Sequence, residues 1–268
     1  MTKLRSILNE YGSLLVAFSG GVDSTFLLAV AADVLKENVV AVIGESPVHP
    51  ASETQFAVSM AERLGVRYMR CRTREMDLDE FRLNTRDRCY FCKKQMLTQL
   101  LEIALQMKIP HVADGANADD LDDYRPGIAA AQESGVRSPL IEAGLTKSDI
   151  RRLSREMGLE TWDKPSSPCL ATRLPYGTAI SEDALKQVHS AETILKAFGF
   201  DHCRVRYHGP CARIEISPDD FYRLLEEKTR RGVVSQLNDI GFHFVALDLH
   251  GYRQGSMNRM IDVNSEGT

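Results

Sequence analysis

The hexapeptide Ser19-Gly20-Gly21-Val22-Asp23-Ser24 constrains this chain more than any other feature, because of what flanks it. Before it, Leu14 to Phe18 is an unbroken apolar run, the pattern of a strand buried on both faces. After it, Ser24 to Leu35 reads as a helix. A strand, a glycine turn and a helix form the unit from which parallel α/β sheets are assembled. Glycine lets the backbone turn tightly and approach a ligand without a Cβ clash. Free amides at the following helix N-terminus then bind phosphate. Ser19 and Ser24 add hydroxyls, and Asp23 offers an oxygen to magnesium. The bland alternative is a strand-to-helix turn with an Asx cap, but the whole hexapeptide in this setting favours phosphate. No Gly-Lys-Ser/Thr follows, so this is not a Walker loop.

The alternation continues. Val39 to Gly44 and Val66 to Cys71 read as further strands, and His111 to Asp114 as another, leading into a turn at Gly115-Ala116-Asn117. Ser52 with Gln55 and Thr146 with Asp149 look like capping boxes opening helices that end at Gly65 and near Gly158. Another helix is expected from about Tyr90 to Met107. The fold class is therefore α/β, a doubly wound parallel sheet. After Tyr176 the style changes. A helix from Ser181 to Phe198, strands Cys203 to His208 and Ala212 to Ser217 joined at Gly209-Pro210, a helix from about Asp219 and a strand Phe242 to Leu249 suggest a smaller α+β domain. The expected division is 1–176, 177–258 and a C-terminal tail 259–268, whose last residues from Asn264 to Thr268 are expected to be disordered.

Composition excludes several classes. With 33 basic against 37 acidic residues the net charge is -4, which does not advertise nucleic acid as a partner. No long apolar run precedes the first glycine turn, so no signal peptide and no membrane span are expected, and the cytoplasm is the default. Six cysteines in such a chain are free thiols or ligands rather than disulfides. Cys89 and Cys92 form a CxxC at a helix start, and Cys169 sits far downstream in a Pro-rich loop, Pro165 to Arg173. Buried thiols, a zinc site short of a fourth ligand, and a redox pair are all compatible with this pattern. So is a [4Fe-4S] cluster held by three thiolates with one iron open. Cys71, Cys203 and Cys211 read as structural.

The hexapeptide resembles the PP-loop of ATP pyrophosphatases, the class of asparagine synthetase, GMP synthetase and the tRNA thiolation enzymes. Three further stretches sharpen the likeness: Asp119 to Gly127, the Cys169 loop through Gly177, and Arg204-Val205-Arg206 with Ala212 to Glu215. Together they resemble the sulfur transferases of nickel-pincer nucleotide synthesis, from Ser19 to about Met257. The resemblance implies that ATP and Mg2+ adenylate a carboxylate of pyridinium biscarboxylic acid mononucleotide, and that a thiocarboxylate follows. It implies ATP contacts from Ser19, Gly20, Gly21, Val22, Asp23, Ser24 and Arg125, and catalytic roles for Asp23, Cys169, Arg204 and Arg206. Some members sacrifice the sulfur of the cysteine matching Cys169. The presence of Cys89 and Cys92 with Cys169 matches the [4Fe-4S] kind instead, with sulfide or another sulfur donor reloading it. Self-association is implied as well.

The small domain adds its own reading. Arg204 and Arg206 share one strand face by alternation, as do Arg213 and Glu215, and this suits an anionic nucleotide. Glu192 falls on the apolar stripe of Leu185, Val188 and Leu195, so it must be paired, face a cleft or bind a cation. The resemblance implies that Glu192 and Glu215 are divalent-cation ligands, joined by Asp219 or Asp220. Rival functions are a tRNA thiolation enzyme, an ammonia-using amidoligase and a nucleotide-binding redox sensor. The first predicts a basic face and extra CxxC pairs, the second no need for three cooperating cysteines, the third no release of pyrophosphate.

Overall fold

The computed structural model describes residues 1–122 and 126–253, without side chains at 122–126 and 128. It divides into two compact units, Met1–Ser167 and Pro168 onward. The change of style after Tyr176 therefore lies inside the second unit, and the expected tail 259–268 lies outside the described residues.

The first unit runs α1 (Thr2–Tyr11), β1 (Leu14–Ala17), α2 (Val22–Leu35), β2 (Val39–Glu45), α3 (Ala51–Arg63), β3 (Arg67–Arg72), α4 (Asp79–Arg82), α5 (Arg88–Gln106), β4 (Val112–Ala113), α6 (Pro126–Ser134), α7 (Pro139–Ala143) and α8 (Lys147–Glu156). Its four strands are all parallel, in the order β3-β2-β1-β4. Successive side chains of β1 enter different cores. Leu14 and Val16 pack with α1, α2 and α3 on one face, and Leu15 with Leu97, Leu100 and Ala104 of α5 on the other. That two-sided burial is why β1 and β2 carry no polar alternation. Helix α2 is apolar all round because Val22 and every residue from Ser24 to Ala31 are buried.

Two local expectations change. The Ser52–Gln55 box does not form, because α3 already begins at Ala51 behind Pro50, whose ring-fixed φ of -57° starts the helix earlier. Helix α1 was not anticipated, although Leu4, Leu8 and Tyr11 are all buried at helical spacing. The Thr146–Asp149 box is present in full.

The second unit contains α9 (Glu182–Ala197), β5 (Arg204–His208), β6 (Cys211–Glu215), α10 (Phe221–Leu225), α11 (Glu227–Asp239) and β7 (Phe244–Leu247). Strands β5 and β6 form the expected antiparallel hairpin, and β7 joins β6 in parallel. Ser181 caps α9 by accepting from the Ala184 amide. Val205, Ala212, Ile214 and Ile216 fill a core with Leu195, Val233, Leu237 and Phe242. No helix among the described residues is long and apolar enough to cross a membrane.

Candidate active site: a phosphate loop beside a cysteine helix

A cavity of about 700 Å³ opens over the carboxyl ends of the first unit's strands. It is lined by Ser19 to Ser24 apart from Gly20, by Ile43 and Gly44 of β2, and by Asp114 and Gly115 after β4. Strands β2 and β4 flank β1 on opposite sides, so the chain leaves β1 at a topological switch point, the standard position for a ligand crevice.

The loop geometry follows from its two glycines. Gly20 has φ +69°, and a Cβ there would lie 3.0 Å from the Ala57 Cα. Gly21 caps α2 with an ordinary φ of -78° and no side-chain cap, so the first amides of α2 are left for a ligand. Ser19 and Ser24 hydroxyls are 3.0 Å apart and tie the loop to the helix start. Gly115 lets the loop after β4 close on α2, since a Cβ there would meet the Ser24 amide nitrogen at 3.0 Å.

Asp23 has one oxygen ion-paired with Lys147, while its buried Oδ1 has no hydrogen-bond partner. An unpaired buried carboxylate oxygen beside a phosphate loop fits a magnesium ligand. Lys147 owes its place to the capping box. Thr146 accepts from the Asp149 amide at 3.2 Å and donates to its carboxylate at 2.8 Å, fixing the first turn of α8. Those bonds hold the Asp149 carboxyl below its ordinary pKa. The Lys147 amide donates to Asp119 at 2.9 Å, so the acidic motif positions this lysine.

Lys164 donates to the Gly20 carbonyl at 3.2 Å and to Glu53 at 2.9 Å, and lies 3.8 Å from the Phe56 ring centroid. Arg151 grips the Trp162 and Lys164 carbonyls at 2.8 and 3.0 Å and thereby sets that segment. Lys93 pairs with buried Asp114 at 2.9 Å. With Arg137, which pairs with Glu142, these lysines bring four cations to the cavity wall, each matched by an acidic side chain of the same wall. Sequence reading missed all four. The Thr146 box pointed at Lys147, and the Pro-rich run lies next to Lys164, but nothing in the sequence says which lysines converge.

The cysteines divide between the units. Cys89 and Cys92 sit near the start of α5, three residues apart and so on one face. Cys89 is exposed and Cys92 lines the cavity. Cys71, read as structural, lines it too, and burial pushes its thiol pKa up. Cys169, half-buried, belongs to the second unit. None of these thiols is in a disulfide. Two thiols one helical turn apart in a CxxC, outside any disulfide, suit iron ligation. Neither unit by itself gathers three His, Cys, Asp or Glu side chains as a ready ion site among the described residues. Arg125 lies outside the described residues.

In the second unit the arginine face is covered at Arg206 and Glu215 and partly open at Arg204 and Arg213. Arg206 is 5 % exposed and Glu215 is 0 % exposed, paired at 2.7 Å. Arg213 reaches the other Glu215 oxygen at 3.3 Å and pairs with Asp248. Arg204 stands opposite Glu215 in register and lies over the Tyr252 ring. Glu192, also buried, pairs with Arg173 at 2.8 Å. Cys203 is packed in the core, and burial drives its thiol up to about 12.

Comparison with known proteins agrees with this geometry. Residues 2–96 match the NAD synthase family, whose members carry a PP-loop. An uncharacterized protein of Synechocystis is 40 % identical over 261 residues, 97 % of each chain. An uncharacterized protein of Methanocaldococcus jannaschii is 27 % identical over 94 % of this chain and 97 % of its own. The pyridinium-3,5-bisthiocarboxylic acid mononucleotide synthase of Lactiplantibacillus plantarum is 40 % identical over 256 residues, 95 % of this chain and 92 % of that one. A full-length match at that identity, on a phosphate loop at the switch point of a parallel sheet, makes this chain a PP-loop protein of the family that contains the Lactiplantibacillus synthase.

Proposed function

We propose that this chain is an ATP-dependent sulfur transferase that converts a carboxylate of pyridinium biscarboxylic acid mononucleotide to a thiocarboxylate. The observation that carries the reading is one cavity holding both a phosphate loop and a CxxC thiol, Cys92. The amides of α2 and Lys147 hold the polyphosphate, and Asp23 holds magnesium through its unpaired oxygen. A substrate carboxylate oxygen attacks the α-phosphorus, pyrophosphate leaves, and an acyl-adenylate remains. The protein's part is to neutralise the leaving pyrophosphate, which Lys147, Lys164 and the magnesium share. A sulfur nucleophile then attacks the acyl carbon and expels AMP. Cys89, Cys92 and Cys169 would hold a [4Fe-4S] cluster, which supplies an open iron able to present sulfide. Gln99 is 8 % exposed, lines the cavity and keeps Oε1 unpartnered because Nε2 donates to the Arg72 carbonyl. That oxygen is the acceptor we assign to the exocyclic amine of ATP.

The test is anaerobic purification, iron and acid-labile sulfide analysis, then mass detection of thiocarboxylate with ATP, magnesium and the nucleotide. About four irons per chain and product in excess of enzyme, both lost in Cys89→Ala, Cys92→Ala and Cys169→Ala, support the reading. Product stopping at one sulfur per chain, with Cys169 converted to dehydroalanine, establishes sacrificial transfer instead. No thiocarboxylate at all overturns it.

A further inference from the structure

Within the second unit the loop carrying Cys169 is held by two buried arginines, each clamped by a buried glutamate. Arg173 ends the short turn Leu170–Arg173 and is 3 % exposed. Its Nε and Nη2 donate to the two oxygens of Glu192 at 2.8 and 3.0 Å. Its Nη1 donates to the carbonyls of Pro168 and Cys169 at 2.9 and 3.3 Å and to the Thr172 hydroxyl at 2.9 Å. Arg206 donates to the Thr172 carbonyl at 3.0 Å and, with its other arm, to Glu215. Glu192 additionally accepts from the Val205 amide at 3.2 Å, which joins the same network to β5.

Both carboxylates that the sequence offered as cation ligands are therefore occupied by guanidinium. A divalent ion at Glu192 would displace Arg173 and leave that cation buried without a counter-charge, a costly exchange. A planar fork held on one side by both Glu192 oxygens has its remaining N–H groups aimed in a fixed direction. Those groups meet two successive carbonyls, one of them Cys169's own. The backbone at Cys169, with φ -58° and ψ 151°, is thus pinned, and with it the direction of the Cα–Cβ bond that carries the thiol.

We propose that Arg173 is a positioning residue for Cys169, and that Glu192 and Glu215 are the counter-charges of this clamp rather than cation ligands. The proposal rests on the sulfur-transfer reading for the importance of Cys169, but its physical content does not. A lysine at 173 cannot span Glu192 and the two carbonyls at once, because an ammonium lacks the fork.

The experiment uses full-length, reduced, iron-free protein as wild type, Arg173→Lys and Glu192→Gln. Iodoacetamide is added, and the alkylation rate of each cysteine is followed by peptide mass spectrometry. Circular dichroism and thermal melting report folding. The expected result is Cys169 alkylation faster by about tenfold in both variants, the weight of one charge-assisted hydrogen bond, with Cys89 unchanged. Iron retained after reconstitution falls in parallel, and equilibrium dialysis with Mn2+ gives the same stoichiometry for wild type and Glu192→Gln. Cys169 reactivity within twofold of wild type in a folded variant overturns the clamp. A Mn2+ site lost in Glu192→Gln also overturns it, in favour of a cation at Glu192. Should Arg173→Lys not fold, the near-isosteric Glu192→Gln decides alone. If wild type makes no thiocarboxylate yet Cys169 reactivity shifts as described, the clamp stands and the sulfur-transfer reading falls.

Discussion

Replacing Gly20 with alanine tests whether the phosphate loop is held by backbone geometry. Two costs can be worked from the structure. Gly20 has φ +69°, a left-handed conformation that costs an alanine about 1 kcal/mol. Its new Cβ would also lie 3.0 Å from the Ala57 Cα and 3.1 Å from the Ala57 Cβ, so a buried turn of α3 must shift. Overpacking of that kind costs about 1–3 kcal/mol. The sum is about 2–4 kcal/mol, or a Tm lowered by about 9 °C at the centre of the usual conversion for chains of this size. Gly21 is the control. Its φ is -78° and its nearest contact is the Ser19 hydroxyl at 3.4 Å, so Gly21→Ala should cost less than about 1 kcal/mol. Scanning fluorimetry of both variants, with ATP-dependent pyrophosphate release beside it, makes the comparison. A Gly20→Ala melt within about 2 °C of wild type, or equal losses in the two variants, would refute the packing argument.

Lys147→Ala should raise the KM for ATP by about tenfold or more, since one charge-assisted contact to phosphate is lost and the Asp23 charge is left uncompensated, as pyrophosphate-release kinetics will show. Glu215→Gln should destabilise the protein by about 3–5 kcal/mol in urea titrations, because Arg206 keeps a buried charge without its counter-ion. A paired Arg206→Met, Glu215→Leu variant should recover most of that loss. The Cys203 thiol has its pKa raised by burial to about 12, so the stability its neutral form contributes is complete below about pH 9 and fades as pH rises toward 12. The gap in Tm between wild type and Cys203→Ala should therefore narrow across that window. Gln99→Leu should weaken discrimination of ATP from GTP in competition assays while leaving pyrophosphate release with saturating ATP largely intact.

How much was legible in the sequence varies with the range of the forces involved. The strand, glycine turn and helix around Ser19–Ser24, the Thr146 cap, the helix that opens at Ser181 and the β5–β6 hairpin are decided by residues within a few positions of one another, and they read correctly. The start of α3 was misread because two local signals competed and the ring of Pro50 prevailed over the Ser52 side chain. Periodicity placed Arg204, Arg206, Arg213 and Glu215 on one strand face, but it could not say that Arg206 and Glu215 are buried. Alternation reports which face a side chain takes, and burial depends on what is laid over that face. Here the turn after Cys169 is laid there, with the Thr172 carbonyl on Arg206.

The sequence by itself determined the α/β class, the phosphate loop and the presence of three thiols in two stretches, because those rest on backbone stereochemistry and short spacings. Only the tertiary structure decided that Gly20 rather than Gly21 is sterically obligatory, since the obstacle is Ala57 on another helix. It also decided that Lys147 and Lys164 reach the loop from 124 and 144 residues away. Glu192, an isolated carboxylate on an apolar stripe in the sequence, has its counter-charge in Arg173, 19 residues upstream. A charge in an apolar stripe announces that a partner exists, and the folded chain alone says which one it is.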